Sequence, residues 1–296
     1  NRTGAQTLKV ANYHHLTLSG TSAKTATGVT TVNGDLTVSG TATITTLITA
    51  IGGNVIVSGG TLTTGASVTV TGSTTVSSGS LVMGALFNYT TASLLVSGGT
   101  GFTTSTGALA VLGTTEVSGG TLSLAGATNN KTMTGLVTVD GGTMSGASAL
   151  IVFLGGITQT SGSVSITGTA TFDTNNQALN GTQSIATISV AASRQLTNNN
   201  DLTVSTALSG SGEFINAATG TLHYGGAAAP TVTTLTITAA GNTVDYNSDG
   251  AQTLKAVTYY HLTLSGATSA KTMTGVTTVT GNFSMSGSAT ATTPLT

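Results

Sequence analysis

Residues 16–40 read LTLSGTSAKTATGVTTVNGDLTVSG, opening on Leu16-Thr17-Leu18-Ser19-Gly20 and closing on Leu36-Thr37-Val38-Ser39-Gly40. In both words an aliphatic residue alternates with Thr or Ser, which is the period of a strand with one buried face. The word returns as Val55-Ile56-Val57-Ser58-Gly59, Val76-Ser77-Ser78-Gly79, Leu94-Leu95-Val96-Ser97-Gly98, Thr115-Glu116-Val117-Ser118-Gly119 and Val137-Thr138-Val139-Asp140-Gly141. The closing glycines are spaced 19 to 22 residues apart. A strand word at this period implies one coil per repeat, with successive coils stacked. The expected fold is therefore all-β, a parallel β-solenoid or β-helix with coils of about 20 residues and no helical domain.

Within one coil, Val29-Thr30-Thr31-Val32 and Leu36-Thr37-Val38 are the strand candidates. Asn33-Gly34 is expected to make the corner between them, because both residue types accept a positive φ. Leu36 and Val38 are expected to point inward, Thr37 and Ser39 outward. Stacking then builds internal ladders of Leu, Val and Ile and external ladders of Thr and Ser. A β-sandwich also has short strands and regular turns, but its strands do not return as near-identical words. From 143 to 246 the words loosen; the run at 149–154 is unusually apolar, and Asn-rich turns stand at 175–176 and 198–200. Asn side chains stacked at equivalent corners are expected to form amide ladders. Residues 1–296 are expected to form a single continuous solenoid.

Composition narrows the class. Of 296 residues 41 are Gly and only 5% are charged, while 38% are apolar, which is too apolar and too uncharged for ordinary disorder. Thr, Val and Gly favour strands and turns. The formal net charge of −1 offers no field for nucleic acid or anionic lipid. Positions 36–115 carry no charged side chain, yet no apolar run is long enough for a membrane-spanning helix. Outer-membrane barrel strands also alternate, but here the words are short, broken by Gly and without aromatic girdles. The chain has no Cys. It begins at Asn1 without Met or signal peptide, and is read as a piece of a longer secreted protein.

A longer repeat encloses the short one. Residues 4–40 return at 250–287 as GAQTLKAVTYYHLTLSGATSAKTMTGVTTVTGNFSMSG, and 126–142 is a weaker echo. Asn242-Thr243-Val244-Asp245-Tyr246-Asn247, Gly250-Ala251-Gln252-Thr253-Leu254 and Tyr259-Tyr260-His261-Leu262-Thr263-Leu264-Ser265-Gly266 carry a resemblance. They resemble the repeats of very large secreted bacterial surface proteins, of the β-strand-repeat adhesin and filamentous-haemagglutinin-like type. The match covers 4–40 and 241–287; the middle is similar in style only. The resemblance implies a repetitive β-rich scaffold at the cell surface, not an activity. His15 and His261 stand where that repeat usually has Asn.

Several residues could carry chemistry. Asp245, Asn247 and Asp249 fit the first half of a calcium loop, but the twelfth position is Ala256 rather than an acid, and the first copy has Thr3 in place of Asp249. A polar turn is the simpler reading. No zinc site is expected from His14, His15, His223 and His261, with no Cys and few acids nearby. Tyr13, His14, Tyr259 and Tyr260 are expected to form a surface cluster suited to sugar or a partner strand. The eight acids are dispersed in the sequence apart from Asp245 and Asp249, which disfavours a polysaccharide-active β-helix enzyme, although stacking could still bring distant ones together. Thr43-Ile44-Thr45, Thr69-Val70-Thr71 and Thr236-Ile237-Thr238 resemble ice-binding faces, although Thr is also an ordinary exposed strand residue.

The expected function is structural: a non-enzymatic building block of an extracellular bacterial fibre or surface stalk. It would extend by tandem repeats or end-to-end stacking, so its partner is itself. The alternative is a cell-surface adhesin that binds glycans or surfaces through exposed Thr and Tyr. No cofactor is expected beyond the calcium candidate, and neither nucleic acid nor a membrane span is expected.

Overall fold

The computed structural model describes residues 4–147, 150–267, 270–276 and 278–292. The first residue of the apolar run, Ala149, and the calcium comparison residue Thr3 lie outside these. The fold is an all-β solenoid of parallel strands, about 14 turns of roughly 20 residues each. Among the described residues no helix is long and apolar enough to cross a membrane. The strands fall into two compact units, Asn1–Phe153 with Thr160–Ser163, and Leu154–Gln159 with Val164–Thr296.

In the first unit each coil has three strand-bearing sides. One side stacks Leu16–Leu18, Leu36–Val38 and the first part of Val55–Thr64, and continues through Leu94–Ser97, Thr115–Gly119 and Val137–Gly146. A second runs from Gln6–Thr7 through Lys24–Ala26 and Thr43–Thr46 to Thr121–Leu124. The third runs from Thr31–Val32 through Ala50–Ile51, Val68–Val70, Tyr89–Thr91 and Leu109–Val111 to Lys131–Met133 and Ile151–Phe153.

Alternation decides the interior. Val38, Val57, Val76, Val96, Val117 and Val139 stand directly on one another, each with no exposed surface. A β-branched side chain has few rotamers to lose in such a stack, and burying each valine is worth about 1.5–3 kcal/mol. Leu36 and Val38 face inward as the sequence implies, and Thr37 is half-buried on the outer side. The backbone bonds run from coil to coil, as in Leu16 N–H to Asp35 O at 2.9 Å and Val55 N–H to Ser73 O at 2.9 Å. This satisfies the peptide groups of short strands around a thin core.

The corner before the first side is fastened by side chains one coil apart. Asp35 N–H donates to His15 Nδ1 at 2.9 Å, Asn54 N–H to Asp35 Oδ1 at 2.7 Å, and Ser73 N–H to Asn54 Oδ1 at 2.9 Å. Ser93 Oγ then donates to Ser73 Oγ at 2.7 Å. The imidazole of His15 thus supplies the acceptor that an Asn would supply. One expectation fails here: neither Asn33 nor Gly34 has a positive φ. Gly34 is required by proximity instead, because a Cβ would fall 2.6 Å from the His14 carbonyl and 2.6 Å from the His15 ring.

The second unit has three sides as well. One runs through Asp201–Val204, Thr221–Tyr224, Thr243–Tyr246, His261–Leu264 and Phe283–Met285. Another stacks Gln177–Asn180, Gln195–Asn198, Glu213–Asn216 and Thr234–Thr236. The third includes Gln252–Thr253, Ala270–Thr272 and Thr290–Thr292. The amide ladder expected of stacked Asn is present at 198–200 but not at 175–176, where Asn175 donates to Leu154 O and Asn176 pairs with Gln195. Asn198 Nδ2 donates to Asn216 Oδ1 at 2.8 Å and Asn199 Nδ2 to Asn180 Oδ1 at 2.8 Å.

The weak echo at 126–142 is an echo of wording, not of position. Lys131–Met133 lies on the side of Leu109–Val111, whereas Lys24–Ala26 lies on the side of Gln6–Thr7 and Thr43–Thr46. Each side asks only for inward alternation, so one word serves on either.

Candidate functional site

The aromatic cluster expected at the surface divides on inspection. Tyr259 has no exposed surface and belongs to the core. Its hydroxyl donates to Lys255 O at 2.7 Å and lies 2.9 Å from the Tyr246 hydroxyl. Tyr224, Tyr246 and Tyr259 form an internal column, with successive rings edge-on at 5.6 and 6.2 Å. Burial pushes the Tyr246 hydroxyl up to about 12 and raises Tyr259 well above the usual range. Tyr259 lies before the strand His261–Leu264, at an isolated bridge to Val279, and its ring turns inward onto Tyr246 while Tyr260 stays half-buried outside. Tyr13 and His14 belong to the first unit, Tyr259 and Tyr260 to the second. Tyr13 is half-buried and donates to Lys9 O at 2.9 Å, while exposed His14 packs edge-on against His15 at 4.5 Å.

The two carboxylates of the calcium candidate are turned to other partners. Asp245 Oδ1 accepts from Ser265 Oγ at 2.7 Å, and Asp249 Oδ1 accepts from Ala267 N–H at 2.9 Å. Ser248 Oγ accepts from Gly250 N–H at 3.1 Å, which closes a polar turn. Positive charge is already supplied by the chain: buried Lys271 donates to Ser248 O at 2.8 Å. Burial lowers its pKa, while the charges of Asp245 and Asp249 act in the opposite direction.

Stacking makes a cluster that spacing in the sequence conceals. His223 Nε2 lies 3.2 Å from Asp201 Oδ1, and His223 Nδ1 lies 3.1 Å from Asp245 Oδ2. With Ser265 on Asp245, four consecutive coils are clasped side chain to side chain. Asp201 and Asp245 are 44 positions apart in the sequence, and stacking brings both onto one imidazole. Ser265 donates to the carboxylate rather than to the imidazole, so the cluster has no Ser-to-His proton path. Among the described residues no group of three or more acids and histidines is arranged to hold a metal ion. What the arrangement can do is store an ion-paired imidazolium. The bond to Asp245 raises the His223 pKa, the charge of Asp201 adds to it, and burial opposes both.

This shift fixes a sign. A histidine whose folded pKa exceeds its unfolded value stabilises the fold fully below the unfolded value of about 6.5. That stability is lost as pH rises through the higher folded value. The urea midpoint of the wild type is therefore expected to fall across this window relative to His223→Gln. Parallel profiles for the two proteins would show that the clasp carries no ionic stabilisation.

Inward lysines are a second feature the sequence reading passed over. Lys24, Lys131 and Lys271 are buried, at 3%, 0% and 0% exposure. Lys131 Nζ donates to Gly107 O at 2.7 Å and to Asn129 O at 2.9 Å. Carbonyls at the coil corners thus hold an ammonium whose pKa burial lowers. The signal was present: in Lys131-Thr132-Met133 and Lys24-Thr25-Ala26 the lysine shares the phase of the buried Met or Ala. Likewise Leu222-His223-Tyr224 and Val244-Asp245-Tyr246 place His223 and Asp245 on the outer face of strands in register.

The Thr words do not build a uniform face. Outward Thr43 and Thr45 stack on Thr61 and Thr63, but these stack on Ser80 and Val82. No protein-family model, no curated protein and no solved structure matches this chain.

Proposed function

We propose that this chain is a structural segment of a secreted bacterial surface fibre or stalk, extended by further copies of its own long repeat. The reading is carried by the way the two copies fold. Tyr13 donates to Lys9 O as Tyr259 donates to Lys255 O, at 2.9 and 2.7 Å. Asp35 N–H donates to His15 Nδ1 as Asn282 N–H donates to His261 Nδ1, at 2.9 and 2.8 Å. Gln6 faces Lys24 as Gln252 faces Lys271. A repeat that rebuilds the same local structure at each occurrence can lengthen a solenoid indefinitely, because each coil answers only to its neighbours.

The same equivalence supports one kind of coil as the next in such a stack. Phe283–Met285 corresponds to Leu36–Val38, and the latter is covered by Val55 and Val57. A strand of that type from another copy, in tandem or end to end, would cover Phe283–Met285 in the same way. Electron diffraction of aligned native filaments is expected to give an axial spacing of about 4.8 Å from stacked coils. Isolated particles with no such axial spacing would exclude the fibre.

A further inference from the structure

We propose that a hollow on the second unit, between the turns that precede Gln195–Asn198 and Glu213–Asn216, binds a neutral saccharide through a pair of adjacent hydroxyls held by Arg194 and Glu213. The inference goes beyond the structural role and does not depend on it. The hollow has a volume of about 430 Å³ and is lined by Asn176, Ser193, Arg194, Gln195, Gly212 and Glu213 among others. That volume is within the usual range for small-molecule sites.

The chain makes this concavity at some cost. Ser193 has a φ of 60°, one of three described non-glycine residues in the left-handed region, a conformation that costs on the order of 1 kcal/mol. Arg194 N–H closes the turn on Ala191 O at 3.2 Å. Across from it, Gly212 lets the two turns meet at backbone distance. A Cβ there would fall 2.3 Å from Ala191 O and 2.6 Å from Arg194 O.

Asn176, Gln195 and Glu213 are held in place before any ligand arrives. Asn176 Nδ2 donates to Gln195 Oε1 at 3.2 Å, and Gln195 N–H donates to Asn176 Oδ1 at 3.0 Å. Gln195 Nε2 donates to Glu213 Oε2 at 2.8 Å, and Thr236 Oγ1 donates to Glu213 Oε1 at 2.6 Å. Each carboxylate oxygen therefore has one fixed partner and keeps a further lone pair. The Arg194 guanidinium makes no hydrogen bond or ion pair to the described residues, although Glu213 lines the same hollow. Lys24, Lys131, Lys255 and Lys271, by contrast, all donate to carbonyls.

A donor-only residue and an acceptor-only residue thus line one hollow without an ion pair between them. An anion drawn to Arg194 meets the charge of Glu213, and a cation meets the reverse. A vicinal diol suits both, since one hydroxyl donates to the carboxylate while its neighbour accepts from the guanidinium. Charge-assisted bonds of this kind are the stronger class.

The test is a titration of the intact chain with glucose, galactose, mannose and their disaccharides, and with glucuronate and galacturonate, read by calorimetry and ligand-observed NMR. At least one neutral sugar is expected to bind, and Arg194→Ala and Glu213→Gln are each expected to weaken it about tenfold or more, consistent with the loss of a charge-assisted bond. Urea unfolding of both variants shows whether the fold is kept; if one is lost, the other decides. No binding across the panel overturns the proposal, as does binding that survives both substitutions. Binding of the uronates alone, abolished by salt, also overturns it and assigns Arg194 to an anion.

Discussion

Replacing Tyr246 with alanine is expected to lower the unfolding free energy of the second unit by about 3–5 kcal/mol. The side chain has no exposed surface and stands between Tyr224 and Tyr259 in the internal column. Its removal leaves a cavity that two paired strands on either side, Thr221–Tyr224 and His261–Leu264, keep from collapsing. Two edge-on aromatic contacts are lost with it, each worth about 0.5–1.5 kcal/mol beyond area burial. Tyr246→Phe keeps the ring and removes only the hydroxyl that accepts from Lys255 N–H at 3.2 Å and meets the Tyr259 hydroxyl. The expected loss there is about 1–2 kcal/mol. The same column predicts a fall in stability as pH rises from about 10 toward the Tyr246 value of about 12. In that window the unfolded tyrosine has released its proton and the buried one has not. Urea titrations of the three proteins give the comparison; an alanine variant with the wild-type midpoint would mean that the column does not carry the unit.

The second large effect is expected at Gly79. Its φ of 79° is left-handed, and a Cβ would stand 2.2 Å from Gly60 O and 2.7 Å from Gly59 C. The lower coil cannot retreat, because Val55–Thr64 and Thr74–Met83 are paired through the residues on both sides of this corner. Gly79→Val therefore combines a backbone conformation that costs L-residues about 1–2 kcal/mol with a collision between coils, for a total of about 2–4 kcal/mol. In a stacked array the damage falls on nearest neighbours. Hydrogen exchange is expected to show lost protection first in the strands Val55–Thr64 and Thr74–Met83. Gly4→Ala is the control: nothing lies within 4 Å of its Cβ, and it is expected to shift stability by less than about 0.5 kcal/mol. Equal behaviour of the two variants would remove the argument from close approach.

Much of this architecture can be read from single words. Leu16-Thr17-Leu18 and Leu36-Thr37-Val38 announce which side chains are buried, because a strand has a period of two whatever surrounds it. The 19-to-22-residue return of the closing glycines announces a coil, since only stacking makes such regularity useful. The corner at Asn33-Gly34 was legible as a corner. Its reason was not, because the crowding by His14 and His15 comes from the coil below. Tyr259 shows the opposite error. Its neighbours Tyr260 and His261 are polar-tipped and half-exposed, and the alternation of His261–Leu264 does not extend to it; the Tyr246 ring and hydroxyl in the neighbouring coil hold it inside.

What the sequence by itself determined is therefore the strand class, the inward and outward phase of each word, and the coil length. These depend on local backbone geometry and on the residues within one coil. The tertiary structure alone decided which outward residues meet. Asp201, His223 and Asp245 are brought together by successive coils of 20 and 22 residues, and Arg194 comes to share a hollow with Glu213 through a turn of unusual backbone conformation. Lateral partners follow from the running sum of coil lengths and from the corner at which each extra residue is absorbed. A shift of one residue at one corner changes every neighbour above it while leaving every word unchanged.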